Sequence, residues 1–212
     1  MLQELIPGDR HSQLSYGALA QDGRVLASIT AHRARQQPMD FGRHSTYVES
    51  IDAPDVAESA RRVIEGMGHT GLVEVEFKRD SRDGHLKLLD INARAWGWLT
   101  LGARAGVDFP YLEWRMMHGE PVAEVHGRPG VRWVRMATDL PTAAQEILAR
   151  RMSIRDYLSS LRGPLEHAMI CRDDPWPGIA DLPLTGLVHL RRRLRSRARL
   201  RSRQKGGAFD GG

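Results

Sequence analysis

Acidic side chains recur at every second position in one stretch near the middle of the chain. Side chains of an extended strand alternate between two faces, so Glu74 and Glu76 share one face of a predicted strand. Asp90 and Asn92 share one face of the next strand by the same rule. The Asp-Gly pair at residues 83–84 is typical of a hairpin turn between the two strands. A loop centred on residue 83 pairs residues whose numbers sum to 166, which predicts that Glu76 faces Asp90.

Two opposed carboxylates in a sheet can hold a cation. Their Cβ atoms lie about 4.5–5.5 Å apart, so Glu76 and Asp90 repel each other unless a cation lies between them. Carboxylate and amide oxygens suit a hard ion such as Mg²⁺, which makes Asn92 a third candidate ligand. The same alternation puts Leu86 and Leu88 on the Asp90 face. The residues alone leave open an ordinary solvated hairpin face, and a one-residue slip in register would separate the pair.

The order Val-Glu-Phe, a short turn and then Leu-Leu-Asp-Ile-Asn-Ala-Arg resembles the metal-binding signature of the ATP-grasp superfamily. The resemblance extends especially to bacterial members that are similar to carboxylate-amine ligases. It implies that Glu76, Asp90 and Asn92 hold Mg²⁺, with Mn²⁺ as an alternative ion. It also implies that Arg94 steadies the phosphoryl group during transfer. Asp90 stands where many members carry Glu, which shortens this ligand by one methylene group.

The start of the chain resembles the adenine-binding hinge of the same superfamily. Glu4, Leu5 and Ile6 match a strand whose backbone groups face the adenine. The turn that follows contains Asp9 and His11, which the resemblance makes candidates for the ribose. An ordinary strand and turn is the alternative interpretation of these residues.

Two basic residues alternate further along the chain. Arg33 and Arg35 are expected to share one face, and guanidinium groups bind phosphate and carboxylate in a bidentate manner. Related bacterial ATP-grasp proteins look similar in this stretch. We therefore expect these residues to bind nucleotide phosphate or substrate carboxylate, with an exposed basic edge as the alternative.

Apolar periodicity and turn signals predict the elements around these residues. An Asp-Gly pair at residues 22–23 predicts a first hairpin. An apolar stripe between Pro54 and Gly68 predicts a helix that packs on the sheet. Trp96 and Trp98 are expected in the core. The predicted strands are 1–6, 14–19, 24–30 and 131–137, and the predicted helices are 52–67, 109–118, 141–151 and 153–162.

Strands and helices in this order are typical of an α+β domain. We expect an antiparallel sheet like the large lobe of an ATP-grasp domain, with packing helices, followed by a mostly helical C-terminal region. Residues 1–122 are predicted to form the C-terminal lobe of an ATP-grasp domain, and residues 123–180 a small α/β extension. Residues 181–212 are predicted to form an apolar-to-basic tail that is helical or disordered.

The composition is that of an ordinary globular protein, with 41% hydrophobic and 27% charged residues. There is no run of about 18 apolar residues, and the start of the chain has neither the basic flank nor the apolar core of a signal peptide. These features predict a cytoplasmic protein. The single cysteine, Cys171, excludes an internal disulfide and is expected to be a small buried apolar side chain.

Positive charge is concentrated near the end of the chain. The net charge is +5, but residues 191–205 hold eight Arg and one Lys with no acid, which leaves −4 on the rest. Leu187, Leu190 and Leu194 are spaced as on one side of a helix. Such a segment suits the phosphates of nucleic acid or an anionic membrane surface, although it has no interleaved aromatic residues. A solvated tail is the alternative.

A complete ATP-grasp domain has two lobes that enclose ATP. The resemblance covers only the C-terminal half of such a domain. The chain has three lysines, Lys78, Lys87 and Lys205, and no glycine-rich stretch like a phosphate-binding loop. We expect the ATP- and Mg²⁺-binding lobe of a ligase that activates a carboxylate as an acyl phosphate for attack by an amine. Such a lobe needs a missing N-terminal lobe or a partner subunit. The alternative is a non-catalytic fragment or descendant that binds a protein partner or a polyanion through the Arg-rich tail.

Overall fold

A computed structural model describes residues 4–7, 12–37, 39, 44–171, 173–188 and 191. The chain divides into two compact units, Met1–Ala168 and Met169–Gly212. The first unit contains the sheet and the packing helices. The predicted region boundaries at residues 122 and 180 stay predictions.

The first unit is built on a mixed, mostly antiparallel sheet. Along the main path the strand order is β5-β4-β1-β2-β3-β7-β8, and β6 pairs with β2 beside β3. The pairs β2–β6 and β7–β8 are parallel, and the other pairs are antiparallel. The strands are β1 (Gln13–Gln21), β2 (Arg24–Gln37), β3 (His44–Ser50), β4 (Gly71–Arg79), β5 (Leu86–Asn92), β6 (Val125–His126), β7 (Arg132–Val134) and β8 (Leu165–His167).

The first hairpin forms as predicted. Asp22 and Gly23 have φ values of 50° and 81°, the left-handed conformation that tight hairpin turns require. Leu14 then pairs with His32 and Gly17 with Ile29 across β1 and β2. Because β1 also pairs with β4, it lies in the interior of the sheet.

One face of the sheet is covered by α1 (Pro54–Met67). The helix begins with a proline and ends at Gly68, whose φ of 57° and backbone N–H close the last turn. Its buried side consists of Val56, Ala60 and Ile64, which confirms the predicted stripe. These side chains pack against alternate residues of the sheet, among them Tyr16 and Val75.

The opposite face holds the second apolar cluster. Trp96, Trp98 and Phe109 are buried there. The ring centroid of Trp96 lies 5.4 Å from that of Trp98 and 5.1 Å from that of Phe109. The Trp96 ring lies directly on Gly17 of β1, where an added Cβ would come within 2.3 Å of it. Gly17 therefore lets an aromatic ring approach the backbone closely. The helices of this part of the chain are α2 (Leu101–Ala105) and α3 (Phe109–Met117).

The second half of the first unit adds α4 (Met136–Leu148) and α5 (Ile154–Ser160). Ser153 and Asp156 form the predicted capping box at the start of α5. The predicted strand 131–137 is shorter, because α4 begins at Met136. Residues 4–7 lack regular structure, so the strand predicted over 1–6 is wrong for the residues described there.

The second unit contains a helix over residues 176–188, named α6 here. Cys171 is exposed, and its Sγ lies 3.3 Å from a carboxylate oxygen of Asp173, so the expectation of a buried thiol is wrong. None of the helices among the described residues combines the length and the apolar character that a membrane span requires.

Candidate functional site

The β4–β5 hairpin brings the predicted acidic residues together on one face. Glu76 pairs with Asp90 and Glu74 pairs with Asn92, as the residue numbering predicted. This face is the one that carries Trp98 and not the one that α1 covers, because Val73 and Val75 point toward α1. Strand pairing therefore fixes the relative positions of two carboxylates and an amide.

The hairpin also contains a bulge that the sequence analysis missed. Phe77 pairs with Leu88 while the preceding Glu76 pairs with Asp90, so Leu89 is an extra residue in β5. The extra residue interrupts the alternation. Leu86 and Leu88 consequently lie on the Phe77 face, and the prediction that they share a face with Asp90 is wrong. Leu86 packs against the cluster under α1.

Glu76 is the most heavily hydrogen-bonded acid of this face. Its Oε2 accepts bonds of 2.6 Å from both Arg33 Nη1 and Gln13 Nε2. Its Oε1 accepts a longer bond of 3.3 Å from Asn92 Nδ2. Arg33 is itself held by Ser45, whose Oγ accepts from Nε at 2.8 Å. Three strands besides β4 therefore contribute a donor to this carboxylate, and Oε1 is its less occupied oxygen.

Glu74 is a buried carboxyl group that was not among the predicted site residues. Its Oε1 accepts a hydrogen bond of 2.9 Å from Trp98 Nε1. Burial, and next the negative charge of Glu76, raise the pKa of Glu74 to about 7. The alternation of the strand places Glu74 on the site face, but its bond to Trp98 joins residues whose contact no local pattern predicts.

The other predicted residues lie at the exposed margin of the sheet. Asp90 is exposed, and its Oδ1 accepts the backbone N–H of Ile91 at 2.9 Å. Arg94 follows the end of β5 and donates to Asn92 Oδ1 and to the carbonyl of Ala95, both at 2.9 Å. Arg94 is therefore held beside the Asn92 amide but remains accessible to solvent.

The donor set fits a magnesium ion. Glu76, Asp90 and Asn92 offer only oxygen ligands, and Mg²⁺ commonly takes one or two carboxylates and completes its shell with water and phosphate oxygens. The described residues contain no cluster of three or more His, Cys, Asp and Glu side chains suited to a metal. Two carboxylates and one amide leave the other positions of an Mg²⁺ shell to water or phosphate oxygens.

The predicted hinge segment lies next to this hairpin. The Ile6 carbonyl accepts a bond of 2.8 Å from Lys78 Nζ, and Glu4 Oε1 accepts one of 2.8 Å from Arg82. Leu5 is 75% exposed. The remaining hinge candidates, Asp9 and His11, lie outside the described residues. The adenine contacts of this segment stay a prediction.

Arg35 does not lie with Arg33. Its Nε and Nη2 each donate to the Asp139 carboxylate at 2.8 Å, and its Nη1 donates to Ser160 at 3.0 Å. Both charged side chains are buried, and the Arg35 guanidinium stacks on the Tyr47 ring at 3.9 Å. The ladder between β2 and β3 is irregular on both sides of Arg35. This geometry favours a structural role, and nucleotide binding by Arg35 stays a prediction.

Comparison with solved structures gives partial matches to biotin carboxylase domains. The chain is 15% identical to the biotin carboxylase subunit of a pyruvate carboxylase over 58% of its own length and 29% of that chain, with a TM-score of 0.47. The Hydrogenobacter thermophilus 2-oxoglutarate carboxylase domain, solved with MgADP, ADP and bicarbonate, matches at 15% identity over 57% and 28%, with a TM-score of 0.45. Rhizobium etli pyruvate carboxylase matches at 14% over 57% and 13%, also with a TM-score of 0.45. The chain thus spans less than a third of each of these proteins.

Comparison by sequence identifies the family. A search of curated proteins finds no match. A family model described as ATP-grasp in the biosynthetic pathway with Ter operon matches residues 1–139, which contain the whole β4–β5 hairpin and the site residues on it. The α+β sheet with its packing helices agrees with this assignment. The chain therefore belongs to this ATP-grasp family.

Proposed function

We propose that this chain supplies the Mg²⁺-ATP-binding lobe of a ligase that activates a carboxylate as an acyl phosphate for attack by an amine or a similar nucleophile. The observation that carries the proposal is the pairing of Glu76 with Asp90 on one sheet face, beside Asn92. Opposed carboxylates with an adjacent amide suit an ion that also binds phosphate oxygens. Family membership supports ATP as the nucleotide of this proposal.

Each residue of the site has a distinct part in this proposal. Glu76 and Asp90 hold the ion, and Asn92 joins them once its amide releases Glu76 Oε1 and Arg94, to which it is bonded in this structure. When bound, Mg²⁺ offsets negative charge on the phosphate oxygens. Arg94, which is exposed and tethered at Asn92, stabilises charge on the transferring group. Arg33 orients Glu76 by a short charge-assisted bond.

Removing the exposed acid tests the metal site with little risk to folding. We expect Asp90→Ala to weaken Mg²⁺-dependent ATP binding by at least about tenfold. Loss of a residue that only hydrogen-bonds to a metal ligand already lowers metal affinity by about that factor, and loss of the ligand itself should cost no less. Titration calorimetry with Mg²⁺-ATP, repeated in a chelator, measures the effect. Asp83→Ala is the matched control, since Asp83 lies in the same hairpin and bonds to Lys87. Equal affinities for wild type and both variants in the presence of Mg²⁺ would contradict the assignment.

We further propose that the chain needs a second lobe for turnover. Lys78 donates to the Ile6 carbonyl and Lys87 to Asp83, each at 2.8 Å, so both lysines in the described part of the chain have protein partners. We infer that a lysine that clamps the nucleotide phosphates comes from outside the described residues. Closure of two lobes is also what excludes water from the reacting groups.

The isolated chain is accordingly expected to release no ADP above background, even when it binds Mg²⁺-ATP. A coupled ADP assay with a panel of carboxylates and amines measures this, and calorimetry on the same sample confirms that the nucleotide is bound. Steady ADP formation that depends on a defined carboxylate would show that the chain is complete without a second lobe. The same panel of carboxylates and amines serves to identify the substrate carboxylate and the nucleophile.

A further inference from the structure

A cleft lies on the face of the sheet that α1 covers, at the margin of that helix. Its floor is formed by β1 and β2, one wall by α1, and the other wall by the end of β6 and the segment that follows. Its volume is about 470 Å³, within the range of roughly 300–1,000 Å³ that is usual for small-molecule sites. All of its lining residues belong to the first unit. The paired Glu76 and Asp90 lie on the opposite face, so the cleft is separate from the hairpin site.

Three side chains with hydroxyl groups form the floor of the cleft. These residues are Tyr16, Ser28 and Thr30, of which Tyr16 and Ser28 are 1% and 4% exposed. Ser28 pairs with Ala18 and Thr30 with Tyr16 in the β1–β2 ladder, which places all three on the α1 side of the sheet. The cluster under α1 is otherwise apolar, so this polar floor is a local feature of the cleft.

Arg61 of α1 reaches over this floor and is only partly occupied by protein partners. Its Nε lies 3.2 Å from the Tyr16 hydroxyl oxygen, and its Nη2 lies 3.3 Å from both Glu124 Oε1 and His126 Nε2. These distances are long for bonds from a charged donor. Its Nη1 has no hydrogen bond to the described residues. Arg61 can therefore donate to a ligand without losing its present contacts.

The hydrogen bonds of the floor leave hydroxyl protons without an acceptor. A guanidinium group only donates, so His126 Nε2 accepts from Arg61 and the ring proton lies on Nδ1. The neighbouring Glu124 carboxylate accepts from the same guanidinium and needs no proton from the ring. Nδ1 then donates to Ser28 Oγ at 2.8 Å, which leaves the Ser28 hydroxyl proton free. Tyr16 also accepts from Arg61, and its own proton has no acceptor among the described residues.

The charges around the cleft favour a ligand with a single negative charge. Asp52, Glu58 and Glu65 line its exposed rim. Arg62, the other arginine of the lining, pairs with Glu58, so Arg61 is the arginine that serves the floor. Acids at the rim repel a phosphate dianion more strongly than a carboxylate, and one carboxylate matches the charge of one guanidinium group.

The walls above the floor are apolar and fixed in place. Gly127 donates its backbone N–H to the Ser28 carbonyl at 2.8 Å, and an added Cβ there would come within 2.8 Å of Ile29. Apolar walls with a few convergent polar groups are the usual composition of a small-molecule site. The apolar residues of the lining are Ile29, Ile51, Ala53, Pro54, Ala57 and Pro129.

We propose that this cleft binds a small monocarboxylate that has an apolar body. The carboxylate accepts from Arg61 Nη1 and from the hydroxyl groups of Tyr16 and Ser28, and the apolar body lies between the two walls. The site does not depend on nucleotide binding at the hairpin, so either proposal can fail without the other.

Titration of the full-length, ¹⁵N-labelled chain with straight-chain monocarboxylates from acetate to hexanoate tests the proposal by NMR. We expect the backbone amide signals of Ala57 and Gly127 to shift. The affinity should rise by about two- to fourfold for each added methylene group, because each one buries more apolar surface against the walls. Inorganic phosphate should bind at least about tenfold more weakly than hexanoate, since it has no apolar body.

Two variants separate the charge of the site from its shape. Arg61→Gln is expected to weaken hexanoate binding by about tenfold or more, because the charged donor is lost. Ala57→Leu keeps every donor but narrows the space between the walls, so it should weaken hexanoate binding more than acetate binding. Arg115→Gln is the matched control and should leave both affinities unchanged, since Arg115 lies on α3 and bonds to Glu120. Unchanged signals away from the cleft show that each variant is folded.

Three results would overturn the proposal. Shifts confined to the amides of Asn92 and Arg94 would place the carboxylate at the hairpin site. Equal affinities for acetate, hexanoate and phosphate would indicate an adventitious ion at an exposed arginine. Absence of shifts at Ala57 and Gly127 with hexanoate would show that the cleft does not bind a carboxylate.

Discussion

Asp139→Asn is expected to lower the free energy of unfolding by about 3–5 kcal/mol, the usual cost of removing one partner from a buried ion pair. Asp139 is fully buried and accepts two bonds of 2.8 Å from Arg35 and one of 2.9 Å from Thr46. The substitution leaves the Arg35 charge buried without its counterion. Urea unfolding monitored by circular dichroism measures the change, and the m-value is expected to stay the same.

An exposed ion pair provides the control for this experiment. Glu120 accepts from Arg115 at 2.9 Å, but both side chains are about a third or more exposed, so Glu120→Gln should cost less than about 1 kcal/mol. The double variant Arg35→Met with Asp139→Leu should recover much of the loss, since an apolar pair avoids the cost of burying charge. Equal small losses for Asp139→Asn and Glu120→Gln would show that the buried pair does not hold α4 to the sheet.

Glu74→Gln is expected to stabilise the metal-free protein above neutral pH. The pKa of Glu74 is raised in the folded state from 4.5 to about 7, so the folded protein binds its proton more tightly than the unfolded chain does. Glu74 therefore does not lower the free energy of unfolding below about pH 4.5. As pH rises toward 7, it lowers that free energy by an increasing amount. A shift of this size corresponds to about 3 kcal/mol at pH 8.

The amide variant should remove that pH-dependent loss while keeping the bond from Trp98. We expect the difference in unfolding free energy between Glu74→Gln and wild type to be near zero at pH 4 and to grow to about 3 kcal/mol by pH 8. Chemical denaturation at several pH values, with a chelator present, measures it. Glu113→Gln, on α3, serves as a control acid that is not part of the hairpin. A difference that stays constant with pH would show that the pKa of Glu74 is the same in the folded and unfolded states, which would contradict the raised pKa.

Strand alternation was sufficient to predict much of the hairpin site. Glu74, Glu76, Asp90 and Asn92 share a face in the structure because their spacing in sequence matches the pleat. The α+β class followed from equally local signals, such as the Asp-Gly turn at residues 22–23 and the apolar stripe of α1. These features depend on residues close in sequence, which one sequence can reveal.

Contacts between distant residues were not predictable in this way. Arg33 and Arg35 look equivalent in sequence, yet the irregular ladder of β2 sends one to Glu76 and the other to Asp139, more than a hundred residues away. Gln13 was missed for the same reason, because its bond to Glu76 depends on how β1 pairs with β4. The local sequence pattern predicts which face of a strand a side chain lies on, whereas its hydrogen-bond partners depend on the tertiary fold.

The bulge at Leu89 has a consequence for how this site tolerates changes in length. Residues on the turn side of the bulge pair with numbers that sum to 165, and those beyond it with numbers that sum to 166. Deleting Leu89 would join the two registers into one regular ladder and would still leave Asp90 opposite Glu76. The number of residues between the two acids can therefore differ by one among related chains while the pair itself is kept. A search for this site by fixed spacing would miss such chains, whereas a search by strand pairing would find them.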